Sequence, residues 1–118
     1  MMSFEQRELL HKHVIYDMAV KSLQHDYAKI ENLKMGKVYL PTLDKLLNDI
    51  SHEYYNTKRL LAKDKIKMVR WDKVDENFSN LTVTTAGEDQ VLTYANMAIK
   101  TQVEKLLISI RDKEQVSV

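Results

Sequence analysis

A chain of 118 residues, 44% hydrophobic and 30% charged, is about one domain long and can bury a core without a staple. It has no cysteine, which excludes disulfides, thiolate nucleophiles and Cys-ligated zinc or iron–sulfur sites. The formal net charge of +1 excludes a globally basic protein, yet the charge is uneven: residues 58–73 hold seven Lys or Arg against Asp64 and Asp72, a net +5, and the rest of the chain is −4.

The opening MMSFEQRELLHKH carries charges where a signal peptide needs an unbroken apolar stretch. No apolar run approaches the roughly 20 residues of a membrane span. The mature protein is therefore expected to be the whole chain, cytoplasmic and without a membrane partner. Ser3 and Gln6 have the spacing of a capping box, which starts a first helix. Leu9, Tyr16, Val20, Leu23, Tyr27 and Ile30 follow at spacings of three and four, with His13 in the gap, as one apolar stripe. Gly36 suits the end of that helix and Pro41 the first turn of the next. The second helix carries Leu43, Leu46, Leu47, Ile50, Tyr54 and Leu61, with Asp44 near its positive end and Lys58, Arg59 and Lys63 near its negative end.

From Lys65 the period changes to two. Ile66 and Met68 alternate with lysines, and Leu81, Val83 and Thr85 alternate with threonines, which gives two strands joined by a loop around Asp75-Glu76-Asn77. After Ala86-Gly87, Leu92, Ala95, Ile99, Val103, Leu106 and Ile110 form a helical stripe. The expected fold is α+β, mainly α, in the order α-α-β-β-α. A single domain over 1–118 has helix 1 at 3–35, helix 2 at 41–64, a β-hairpin at 65–86, helix 3 at 88–112 and a flexible tail at 113–118.

The basic stretch is the strongest anomaly of composition. With Ile66 and Met68 inward, Lys65, Lys67, Val69, Trp71 and Lys73 share the outer face of the sheet. Lys58, Arg59, Lys63, Lys65, Lys67, Arg70 and Lys73 could then neutralise phosphates while Trp71 stacks on bases, the usual means of holding single-stranded nucleic acid. The plainer account outweighs it: the cations complement a helix end and protect a sheet edge, and Trp71 is a core residue reached through a bulge.

His11 and His13 project about 200° apart on a helix and do not share a metal. His13, on the apolar stripe near Asp17, reads as a partly buried structural histidine. In a helical hairpin turning near Gly36, facing residues have numbers summing to about 73, which would bring His25 and Asp26 toward Asp49 and His52. These four are the weak metal or acid–base candidates, outweighed by the reading that they are solvated flanks of amphipathic helices. No Gly-rich phosphate loop, nucleophile elbow, HExxH or dinucleotide fingerprint occurs, so no catalytic residue, cofactor or resident metal is expected. Asn77-Phe78-Ser79 and Asn80-Leu81-Thr82 match the glycosylation sequon, by chance in a chain without a secretory signal. Tyr54 and Tyr55 point in different directions, and Val14, Ile15 and Met18 lie off the first stripe. Excess apolar helix surface of this kind leads to an expectation of a homodimer.

The run QHDYAKIENLKMGKVYLPTLDKLLNDI, with the basic helix end and the IKMVRW strand after it, resembles a family of small uncharacterised helical proteins of Bacillus-type bacteria. Their pattern is a helix, a Lys-rich turn, a second helix, a short basic strand, a hairpin and a final helix. The resemblance covers residues 20 to 110 and implies neither a catalytic motif nor an activity; the Lys, Asn and Ile content equally suits a phage of such a host. The readings rank as follows: a small non-enzymatic accessory or regulatory protein acting through protein–protein association, then a nucleic-acid-binding protein, then a metal protein or enzyme.

Overall fold

Ser3 and Gln6 form both halves of the capping box. The Ser3 hydroxyl accepts from the Gln6 N–H at 3.1 Å, and the Gln6 side chain accepts from the Ser3 N–H at 2.9 Å. Helix α1 then runs over Phe4–Glu31. The computed structural model describes residues 2–116, with side chains as far as residue 113.

Helix α2 spans Gly36–Lys63 and begins five residues before Pro41, which lies inside it. Gly36 is therefore a start and not a stop. A Cβ at this position would collide with the carbonyl oxygen of Ile30, so a residue without a side chain lets the second helix leave the first so tightly. Pro41 lacks the N–H that would close a helical bond and costs α2 one rung near its beginning. The facing pairs are His13 with Thr57 and Tyr27 with Asp44.

At the other end of α2, Asp64 caps the helix and Lys65 takes a left-handed φ of 60°. The Ile66 N–H returns to the Leu61 carbonyl at 2.9 Å and the Lys65 N–H to Ala62 at 3.0 Å, a Schellman closure that turns the chain into the sheet. Three antiparallel strands follow in the order β1-β2-β3: Lys67–Lys73, Phe78–Thr85 and Glu88–Ala95. The loop between the first two is closed by Asp75, whose carboxylate accepts the N–H groups of Asn77 at 2.7 Å and Phe78 at 2.9 Å.

The third strand corrects the sequence reading, which placed helix 3 from residue 88. Ala86-Gly87 is a two-residue hairpin turn, with Gly87 at φ 92°, and it pairs Thr85 with Glu88. Along Glu88–Ala95, Gln90, Leu92 and Tyr94 are half-buried while Val91 and Thr93 are exposed, a period of two. Leu92 and Ala95 fit a helical stripe only because they happen to be three apart. Helix α3 occupies Asn96–Val116. Asn96 fixes its start: its N–H bonds the Asn77 carbonyl at 2.8 Å, its side-chain amide donates to Glu76, and its amide oxygen accepts from Ser79. Of the tail expected at 113–118, residues 113–116 belong to α3 and 117–118 lie outside the described residues.

The core has two parts. Leu10, Val14, Leu61, Ile66, Leu81 and Val83 join the base of the helical hairpin to the sheet. Ile15, Ala19, Leu23, Leu46, Ile50, Ile99 and Val103 join the hairpin to α3, and Trp71 and Tyr94 pack against both. Helix α1 thus has a cover on more than one side. This is why Val14 and Ile15, off the expected stripe, are buried inside the domain and are not spare surface for a dimer.

Candidate functional site

Residues 58–73 form the last turns of α2, its cap and β1, and they do not make one continuous basic track. Lys58, Lys65, Lys67 and Arg70 border a groove of about 1000 Å³ between the base of the hairpin and β1, with Trp71 in its wall. Lys21, on α1, joins them and was not among the residues singled out from the sequence. Its pairing with Asp17, four positions earlier, was the available signal: the ammonium lies 2.9 Å from that carboxylate. The other cations go elsewhere. Arg59 reaches Asn56 at 3.4 Å, Lys63 is exposed at the end of α2, and Lys73 borders a second groove.

Trp71 is turned by a bulge. Met68 pairs with Val83 and Arg70 with Thr82, so Val69 is the extra residue and the alternation restarts one position late. Val69 and Arg70 are exposed, whereas Met68 and Trp71 both point to the core. The indole lies 5.6 Å from the Tyr94 ring and its N–H is buried without an acceptor among the described residues. The shared outer face of Lys65, Lys67, Val69, Trp71 and Lys73 therefore loses its aromatic member.

His13 is buried and its Nδ1 lies 2.7 Å from the Thr57 hydroxyl. The Thr57 hydroxyl also lies 3.0 Å from the carbonyls of Glu53 and Tyr54, and with its one proton directed at either carbonyl His13 Nδ1 is the donor to its oxygen. Burial pushes the His13 pKa below its ordinary value; Asp17 pulls it up, and Lys58 and Lys21 push it further down. His11 is separate: its Nε2 meets Gln102 of α3 at 2.8 Å and its ring stacks on Tyr94.

The four-residue cluster expected across the hairpin is not assembled. His13–Thr57 and Tyr27–Asp44 fix facing numbers at a sum of about 70 and not 73, so Asp26 and Asp49 are offset along the helices. His25 and Asp26 border a groove of about 720 Å³ that also holds Trp71, Lys73 and Asn96. Asp49 borders a different groove with Lys12, Tyr16 and Glu53, and His52 is exposed. Among the described residues no three His, Asp or Glu side chains gather as a metal site.

The distal end of the hairpin offers another kind of surface. Leu33, Met35, Val38 and Tyr39 fall within seven positions of the turn and are 55%, 57%, 67% and 52% exposed. The core reaches along the hairpin only to Leu23, Leu43 and Leu46.

A family model described as YhjD protein matches residues 1–115. The chain belongs to the YhjD family. The YhjD match takes in the hairpin, the sheet and nearly all of α3, so both grooves and the hairpin tip lie within it. No curated protein and no solved structure matches the chain. No helix among the described residues is long and apolar enough to cross a membrane.

Proposed function

We propose that this YhjD-family protein is a small non-enzymatic accessory protein of the bacterial or phage-infected cytoplasm, and that it acts by docking the tip of its helical hairpin onto a protein partner. The observation that carries the reading is the exposed cluster of Leu33, Met35, Val38 and Tyr39 beyond the end of the core. Apolar side chains grouped at one end of a molecule 49 Å long form a projecting surface, the usual mark of an interaction site. Helix α2 opens there without a side-chain cap, and Gly36 and Val38 make three-residue turn bonds to Leu33 and Met35. Nucleic-acid binding through residues 58–73 ranks second, because Trp71 is turned inward and the cations are dispersed: four border one groove, Lys73 another, and Arg59 and Lys63 neither. A metal protein or enzyme ranks third.

The test is a photo-crosslinking amino acid placed at Val38 in cells, with Thr101 on the exposed side of α3 as control, beside sedimentation of the pure protein. A discrete adduct from position 38 alone supports docking. If that adduct has the mass of two chains and the pure protein sediments as a dimer, the partner is a second copy. Equal labelling from both positions, or none, contradicts the reading.

A further inference from the structure

We propose that the groove between the base of the hairpin and β1 binds a compact phosphate-rich anion, of the size and charge of a triphosphate chain. This site is distinct from the hairpin tip and does not rest on the docking reading. Lys21, Lys58, Lys65, Lys67 and Arg70 come from α1, α2, the α2 cap and β1, and they border one concavity of about 1000 Å³. That volume is at the upper end of small-ligand pockets. Negative charge in the groove is limited to Asp17, which is buried and spent on Lys21, and Arg70 is paired with Asp72 at 2.9 Å. Among the described residues Lys58, Lys65 and Lys67 form no ion pair; Lys58 lies over the Tyr54 ring. Three ammonium groups without an ion pair around one concavity match a ligand carrying three or four negative charges.

Two features of the backbone point to the same place. Lys65 holds a left-handed φ of 60° at a helix-capping position where glycine carries no penalty. A strained lysine that borders the groove gives its side chain a use that glycine could not supply. The bulge at Val69 leaves Arg70 exposed on the groove side while Trp71 closes the wall. Arg59, Lys63 and Lys73 lie outside the groove, which favours a compact ligand over a strand that would track the whole basic stretch.

Trp71, the only tryptophan, reports on the site. Its emission is followed while the full chain is titrated with inorganic tripolyphosphate, with ATP, and with a single-stranded oligonucleotide, at about 50 and 200 mM salt. Saturable one-to-one binding of tripolyphosphate is expected, weaker at the higher salt. Lys67→Gln should weaken it roughly tenfold, the scale of one charged hydrogen bond, and Lys63→Gln should leave it unchanged. Lys65→Gly is the sharpest variant: it should weaken binding while raising the melting temperature, because strain is relieved as a ligand is lost. ATP binding like tripolyphosphate means that the phosphate chain alone is read, whereas tighter ATP binding adds a base to the ligand. Absence of tripolyphosphate binding at low salt overturns the proposal. So does equal weakening by Lys63→Gln and Lys67→Gln, or tighter binding of the oligonucleotide than of either phosphate compound.

Discussion

The two ends of the helical hairpin are made of similar residues and meet different fates. At the base, Leu10 and Val14 of α1 and Leu61 of α2 are buried against Leu81 and Val83 of the sheet. At the tip, Leu33, Met35, Val38 and Tyr39 are more than half exposed. The base is the better-closed end, with the Ser3 capping box and the Schellman closure at Lys65, whereas α2 starts at the tip without a side-chain cap. What also differs is the second layer: the sheet covers the base, α3 crosses the middle, and neither core cluster extends beyond Leu23, Leu43 and Leu46. Burial here is conferred by topology, and the end left without a layer is where apolar side chains become available to something else.

The comparison breaks most readily at the base. Leu10→Ala removes a side chain with no exposure at all, and the cavity should cost about 3 kcal/mol in urea denaturation. A loss below about 1 kcal/mol would mean that the base is not the stability centre. Gly36→Ala places a methyl group against the Ile30 carbonyl and should cost roughly 1–3 kcal/mol, read the same way, because backbone and not a flexible side chain must move. Gly87→Ala meets open space but keeps a φ of 92°, so its cost is conformational and should be about 1 kcal/mol.

A smaller effect concerns pH. The folded protein holds His13 below its ordinary pKa of 6.5, chiefly by burial. The unfolded chain therefore binds this proton more readily, so the contribution of His13 to stability is present above pH 6.5 and is lost as the pH falls below it. In His13→Asn this part of the decline should vanish from a series of urea midpoints taken from pH 7 downward; an unchanged slope would assign it to other groups. The smallest effect belongs to the tip, where Val38→Asp should alter stability by no more than about 0.5 kcal/mol.

Much of this architecture was readable from spacing. Ser3 and Gln6 announced α1, and the alternation of Leu81 and Val83 announced the central strand, because both signals are local. Glu88–Ala95 was misread because Leu92, Ala95 and Ile99 satisfy a helical period across a strand–helix boundary, while the alternation of Gln90, Leu92 and Tyr94 was the competing and correct signal. Trp71 could be placed either way, since a single bulged residue reverses every side chain after it and no periodicity marks where the bulge falls. The His25, Asp26, Asp49 and His52 cluster failed on a shift of two to three in the facing numbers of the hairpin, which depends on how closely Gly36 lets α2 follow α1. The groove cations of α2 and β1 were visible as a basic stretch, whereas Lys21, on another helix, offered only its spacing of four from Asp17.

The most direct test of the account takes the double variant Val38→Asp/Tyr39→Asp and measures its melting curve beside its crosslinking in cells from a probe at Met35. The account predicts an unchanged melting temperature together with loss of the adduct seen in the parent chain. A melting temperature lowered as far as that of Leu10→Ala, or an adduct that survives both charges, would contradict the division between a base that holds the fold and a tip that meets a partner.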